Sequence, residues 1–275
     1  MSIVVLASCT LDVNLYVDRL PERQGDSFVR HKEIKTGGCG YHVARAISDC
    51  TLCFPLGTGL YSDLVQKDLF NADFDLYLPR TEEESGVCYC LIEPDGERTF
   101  LGNHGAEYHY RKEWLEDLDE FDWAYVSGID MEEKGNTCIL DFIKERNMKF
   151  LFAPGPRLRA MGDLLDTILS MKPVLHMNTK EIKDWTGKDK EEGMKELFAI
   201  TGMPVIVTDS SNGAYCFDGQ MHFIPTTPIK VKNATGAGDT HAGMCLKGLD
   251  LGWSIDKMLE EANKKAGEKM LENNK

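Results

Sequence analysis

The sequence has no apolar run long enough to cross a membrane. Its most hydrophobic early stretch, Ser2-Ile3-Val4-Val5-Leu6-Ala7, falls far short of the ~20 residues that a spanning helix needs and lacks the charged leader of a signal peptide. It is read as a buried first strand. Positive charge is scarce as well: 31 Lys and Arg face 45 Asp and Glu, a formal net charge of -14. That balance argues against binding to a nucleic-acid backbone, which depends on clustered cations releasing counterions. An anionic ligand must be held locally, by main-chain amides or a metal. No cysteine framework exists either, and nine cysteines, an odd number without regular spacing, suit a reducing cytoplasm. Cys50-Thr51-Leu52-Cys53 has the CxxC form, yet no second pair or His pair follows at zinc spacing, so it is read as one cysteine in the core and one beside it. His31, His109, His176 and His222 also lack ligand spacing and are read as packing or surface residues.

Two common nucleotide motifs are missing. Gly57-Thr58-Gly59-Leu60-Tyr61-Ser62 lacks the third glycine of a dinucleotide fingerprint, and no GxxxxGK followed by Ser or Thr occurs. Hydride transfer and P-loop chemistry lose support.

What is present is a rhythm of strands and helices. Apolar β-rich runs recur at Ile3 to Ala7, Ala124 to Ser127, Lys149 to Ala153, Val174 to Met177 and Val205 to Thr208, with segments of helical period between them, such as Asn136 to Glu145 and Glu191 to Ala199. The alternation predicts an α/β fold with a mostly parallel central sheet flanked by helices on both faces. The length, 275 residues, suits a single domain over 1–275. Two stretches break the rhythm, about 11–34 and 86–100, and are expected to form a small antiparallel β lid; the second turns at Pro94-Asp95-Gly96.

The most informative segment is Asn233-Ala234-Thr235-Gly236-Ala237-Gly238-Asp239, which opens a helix of small residues. Glycines let successive N–H groups point outward, and a helix N-terminus adds partial positive charge, so the turn forms an anion hole without cations. Asp239, in the first helical turn, is placed to take a proton from a hydroxyl while Gly236, Ala237 and Gly238 hold the transferring group. The helix dipole is expected to keep its pKa low. A plain glycine turn with a dipole-stabilising Asp would carry the same residues. A second glycine turn, Thr36-Gly37-Gly38-Cys39-Gly40, opens another helix and allows close approach to the main chain. Asn178 and Glu181 stand three apart after a strand and share one face of the following turn. That pair suits a hydrated magnesium ion, which needs few protein ligands, or simply a helix cap.

Taken in order, these residues resemble the ribokinase-like (PfkB) carbohydrate kinase family over nearly the whole chain. The matching positions are Asp12, Gly37-Gly38, Gly86 with Asp95-Gly96-Glu97-Arg98-Thr99, Gly105-Ala106, Ser127-Gly128, Pro156-Arg157, Asn178 with Glu181, and Gly236-Ala237-Gly238-Asp239. The resemblance implies ATP- and Mg2+-dependent phosphorylation of a hydroxyl, a primary alcohol of a sugar or nucleoside, with Asp239 as base. It further implies that Asn178 and Glu181 serve the metal and phosphates, with Glu181 toward the metal. Thr208, Asp209, Gly213 and Asn263 would serve ATP, and Asp12, Gly37, Gly38 and His42 the substrate. Arg157 is read either as a contact for a substrate phosphate or as a structural ion pair.

Several positions depart from the family pattern. His42 stands where Asn is usual, Asn233 where an acid is common, Ala153 where Asp often occurs and His241 where Phe is commoner, and the segment after Gly57 is compressed. A non-catalytic sugar or nucleotide binder on the same scaffold is the alternative reading. The expected setting is cytoplasmic, with no membrane or nucleic-acid partner, and with a homodimer formed through the lid.

Overall fold

The computed structural model describes residues 2–229 and 234–273, so Asn233 lies outside the described residues. In chain order the elements are β1 (Ile3–Leu6), β2 (Thr10–Val17), β3 (Val29–Gly37), α1 (Cys39–Ile47), β4 (Thr51–Cys53), β5 (Leu56–Thr58), α2 (Leu60–Leu69), β6 (Asp75–Tyr77), β7 (Arg80–Glu84), β8 (Val87–Ile92) and β9 (Arg98–Asn103). They continue with α3 (Lys112–Glu116), β10 (Trp123–Ser127), α4 (Thr137–Glu145), β11 (Lys149–Ala153), α5 (Asp163–Ser170), β12 (Val174–Asn178), α6 (Thr179–Thr186) and α7 (Lys190–Thr201). The last are β13 (Val205–Thr208), β14 (Gly213–Phe217), β15 (Met221–Pro225), α8 (Ala237–Asp250) and α9 (Ile255–Glu272).

The main sheet runs β15-β14-β13-β12-β11-β10-β1-β4-β6. Pairing is parallel from β6 to β13 and antiparallel only where β14 and β15 extend the edge. Helices cover both faces of the parallel part, so its strands read as continuous apolar runs rather than alternating ones; every residue of Ile3–Leu6 and of Trp123–Ser127 is buried. Leu6, Leu52 and Phe152 are fully enclosed in the resulting core, each contributing about 1.5–3 kcal/mol by leaving water. Cys50 and Cys53 are both buried in it, one more than the sequence reading placed there, and all nine cysteines are free thiols.

The chain order reverses at β1. From there the chain builds outward to β4 and β6, and later fills the other side with β10 to β13. Such a switch leaves a crevice beyond the carboxyl ends of the two diverging strands, where open α/β sheets bind ligands.

A second sheet, in the order β3-β2-β8-β9, leans over that end. It consists of two antiparallel hairpins, as expected for the lid, but they meet along a parallel β2–β8 seam. The strands also run further than read from the sequence, to Gly37 and Asn103. Phe28, Val29, Ile34, Phe100 and Leu101 of this sheet and its approach are exposed. No described helix is long and apolar enough to cross a membrane.

Candidate active site

The turn before α8 is built around Gly236. Its φ of +75° and its contact with the His42 ring, which an added Cβ would approach to 2.7 Å, both demand glycine. The N–H of Ala237 donates to Ala234 O at 3.2 Å, and that of Thr240 donates to Gly236 O at 2.9 Å. Between them, the N–H groups of Gly238 and Asp239 precede the first intrahelical donor and are the orphan amides of the helix start. Ala237, expected to share in the anion hole, uses its amide to close the turn. On the lid side, Arg98 of β9 donates to the Thr235 hydroxyl, which ties the second sheet to this turn.

Asp239 departs from its expected acidity. Burial raises its carboxyl to about 6, the neighbouring charges of Glu181 and Asp12 add to the rise, and a Cys39 hydrogen bond offsets part of it. Desolvation outweighs the helix dipole because the dipole is a partial charge, whereas burial removes most of the carboxylate's hydration. The shift brings Asp239 closer to the acidity of an effective base at neutral pH.

Asp239 and Gly238 lie on the floor of a cavity of about 490 Å³ at the switch point. Ser127, Gly128 and Ile129 at the end of β10, the segment 153–157 at the end of β11, Met177 and Asn178 of β12 and Thr208 of β13 line its walls. Val87, Cys88, Phe100 and Gly102 of the second sheet roof it. The parallel register that pairs Asn178 with Thr208 brings these strand ends level. Arg157 lines the cavity and pairs with Glu132 at 3.6 Å, the ion pair that one of its two readings expected.

Asn178 and Glu181 form a reciprocal capping box at the start of α6. Asn178 Oδ1 accepts from the Glu181 N–H, and the two Glu181 carboxylate oxygens accept from the Asn178 N–H and Nδ2 at 2.9 and 2.8 Å. Burial raises the Glu181 carboxyl. Each oxygen keeps a lone pair, so two acids, Glu181 and Asp239, converge on a cavity in which Arg157 is the one lining Lys or Arg among the described residues. Hard oxygen donors of this kind fit a hydrated Mg2+ held through waters.

The remaining predicted positions separate by depth. Asp12 packs against Gly37, where a Cβ would meet its Oδ2 at 2.0 Å, and accepts from the Thr10 hydroxyl at 3.2 Å. Burial takes Asp12 up to about 6. Gly38 caps α1 at φ +89°, with Ser8 O 2.7 Å from any added Cβ. Asp12, Gly37 and Gly38 thus adjoin the cavity, whose own lining in this region is Thr10 and Cys39. His42 is buried behind the Gly236 turn, off the cavity lining, and burial takes its imidazole down to about 3.

Of the residues expected to serve ATP, Thr208 lines the cavity. Asp209 is paired with Lys190 at 2.6 Å and donates its N–H to Gly213 O at 2.8 Å, closing the β13–β14 hairpin. Gly213, at φ +127°, leaves no room for a Cβ beside Ile224 O. Asn263 donates to Ile224 O at 3.0 Å and lines a separate groove of about 310 Å³ with Pro225, Ile229 and Gly267.

Sequence reasoning missed three residues around the cavity. Cys39 bonds Asp239. Tyr125 is fully buried, lines the cavity and has a hydroxyl without a hydrogen-bond partner among the described residues. Asp130, next to the lining residue Ile129, accepts from the Ser8 N–H and the Ser127 hydroxyl, and burial raises it to about 7. Ser127-Gly128 was the one nearby signal.

A parallel switch-point sheet, a second sheet as roof and an acid in a glycine turn at a helix start define a ribokinase-like kinase fold. The pfkB family of carbohydrate kinases matches residues 1–273. The chain belongs to that family and is a carbohydrate or nucleoside kinase. It is 28% identical over 270 residues to an uncharacterized sugar kinase, YegV, of Escherichia coli, covering 91% of this chain and 83% of that protein. It is 26% identical over 268 residues to an ATP-dependent ribose-1-phosphate kinase of Halopiger xanaduensis, covering 92% and 86%. Among solved structures, the ribokinase of Thermotoga maritima superposes with a TM-score of 0.83 at 20% identity, covering 100% of this chain and 93% of that one.

Proposed function

We propose that residues 1–275 act as one kinase domain that transfers the γ-phosphoryl group of ATP to a primary hydroxyl of a sugar or nucleoside. In this reading Asp239 takes the hydroxyl proton as the oxygen forms its bond to phosphorus and the bond to the departing ADP breaks. The N–H groups of Gly238 and Asp239 hold the transferring group, and Asn178 and Glu181 hold Mg2+ through water. When bound, the ion neutralises the charge building on the phosphate oxygens. Phosphoryl transfer asks chiefly for such positioning and charge stabilisation. The observation that carries the reading is the convergence of Asp239, two orphan amides and the Asn178–Glu181 pair on one cavity at the switch point. Screening sugars and nucleosides by coupled ADP release tests it: one class should release ADP in an acceptor-dependent way, and no acceptor-dependent release from any of them would overturn it.

The metal assignment has its own test. Glu181→Gln keeps an oxygen to accept the Asn178 N–H, so the cap survives, but removes the charge that attracts the ion. The Mg2+ concentration for half-maximal rate should rise by roughly tenfold, and an unchanged metal dependence would make Glu181 a cap alone.

The exposed apolar residues of the lid support a homodimer in which two lids cover one another. Sedimentation at micromolar concentration should give the dimer mass, and a monomer would refute it.

A further inference from the structure

His176 ends up beside two residues that no spacing along the chain joins to it. His241 and Cys245 stand four apart on α8 and therefore share a face, and that face meets β12 at His176. His176 Nε2 lies 2.9 Å from His241 Nδ1, and Cys245 Sγ lies 3.5 Å from the same nitrogen. The three donor atoms all fall within 4.8 Å of one another. Their residues are 5%, 2% and 0% exposed, and among the described residues no Asp or Glu joins the group.

As a hydrogen-bonded packing group the cluster is poorly served. Nδ1 of His241 offers one proton or one lone pair, yet it is approached by two partners. Its Nε2 is buried and has no hydrogen bond of sound geometry among the described residues, although a side-chain interaction with Asn263 offsets part of the effect of burial on the ring. Burial holds both imidazoles neutral, which is the ligating form. An interaction of the His176 ring with its own main chain offsets only part of that effect of burial.

We infer that His176, His241 and Cys245 form a binding site for a borderline-soft transition-metal ion such as Zn2+, beneath the catalytic floor. Two imidazoles and a thiolate are the donor set such ions select, whereas Mg2+ requires oxygens. Bonds of about 2.0–2.1 Å to nitrogen and about 2.3 Å to sulfur place tetrahedral donors roughly 3.3–3.7 Å apart. The Cys245 Sγ–His241 Nδ1 edge already has that length, the nitrogen pair needs to open by a few tenths of an ångström, and the His176 Nε2–Cys245 Sγ edge, within 4.8 Å, closes by up to roughly 1 Å through side-chain rotation. His176 also lines the main cavity, which provides an entry path and space for an exchangeable fourth ligand. Binding releases the Cys245 thiol proton and changes no oxidation state. The ion would join β12 to α8 two residues beyond Asp239. Asp239, Asn178 and Glu181 are not among the ligands, so the site is independent of the proposed phosphoryl chemistry.

The test reads binding rather than turnover. Chelator-stripped protein, kept in excess Mg2+ to occupy oxygen sites, is titrated with Zn2+ against a chromophoric competitor and, in parallel, with Co2+. One equivalent should bind, and Co2+ should show a thiolate charge-transfer band with the visible spectrum of a four-coordinate ion. Cys245→Ser should abolish that band and weaken Zn2+ binding by at least about tenfold. His241→Phe, which fills the same space, repeats the test on a second residue. X-ray absorption at the zinc edge of the unaltered protein should give two imidazole nitrogens and one sulfur, a readout that does not depend on either variant folding. Absence of a bound equivalent, a shell of oxygens alone, or affinity unchanged in both variants would overturn the assignment.

Discussion

Asp239→Asn should lower turnover by about 10²–10⁴-fold, the range that a positioned base contributes, while ATP binding stays close to that of the unaltered protein. The amide preserves the shape of the first turn of α8 but cannot accept the hydroxyl proton. On the proposed mechanism the size of the loss is limited, because the orphan amides and a bound metal would still stabilise the transferring phosphoryl group. The pH dependence carries the same signature. In the proposed role Asp239 works as the carboxylate, and burial puts its pKa at about 6, so kcat/KM of the unaltered enzyme should fall as pH drops through that value, and the variant should lose this limb. Stability moves in the opposite sense. A carboxyl raised from 3.8 to about 6 on folding contributes stability that is complete below pH 3.8 and is lost as pH rises through about 6. The uncharged Asn escapes that loss, so the metal-free variant should be more stable than the metal-free parent at pH 8, by on the order of 3 kcal/mol, and no more stable at pH 3.5. Undiminished turnover in a folded variant would remove Asp239 from the chemistry.

The parallel core was legible because its strands are buried on both faces, and continuous runs such as Val205 to Thr208 stand out against amphipathic helices. Antiparallel β14 and β15 were not, since Met221 to Pro225 alternates exposed and half-buried residues at a sheet edge where the apolar signal fades. The lid hairpins were visible in their turns. Their parallel seam was not, because Asp12 pairs with Cys88 across a sequence distance that no local pattern records.

At the site, the glycine turn and the Asn178–Glu181 spacing were readable because one short segment carries each motif. Environment was what the sequence withheld. The dipole argument for Asp239 used only its own helix, and burial by other elements decided its acidity. His42, Asp209 and Asn263 were assigned by position along the chain, but the structure shows His42 packed behind Gly236, Asp209 paired with Lys190 and Asn263 bracing Ile224. His176 looked isolated for the same reason, its neighbours being 65 and 69 residues away along the chain.

Gly238 provides the sharpest separation of folding from function. A Cβ at Gly236 would strain a left-handed backbone and strike the His42 ring, and one at Gly213 would strike Ile224 O, so substitution there confounds stability with chemistry. At Gly238 an added Cβ meets nothing within 4 Å, and the residue is helical. Gly238→Ala should therefore fold as well as the parent or better, since alanine favours a helix over glycine by up to about 1 kcal/mol. The open space it fills belongs to the cavity floor beside Asp239, where the proposed reaction puts the transferring phosphoryl oxygens against the orphan N–H groups. A methyl group there pushes those oxygens off the amides. Losing such a donor costs about 10²–10³-fold in kcat where it stabilises developing charge. Gly238→Ala is thus expected to melt no lower than the parent and to lose two to three orders of magnitude in turnover. Retained turnover with unchanged stability would mean that no anion occupies the turn during the reaction, which would locate phosphate binding elsewhere in the cavity.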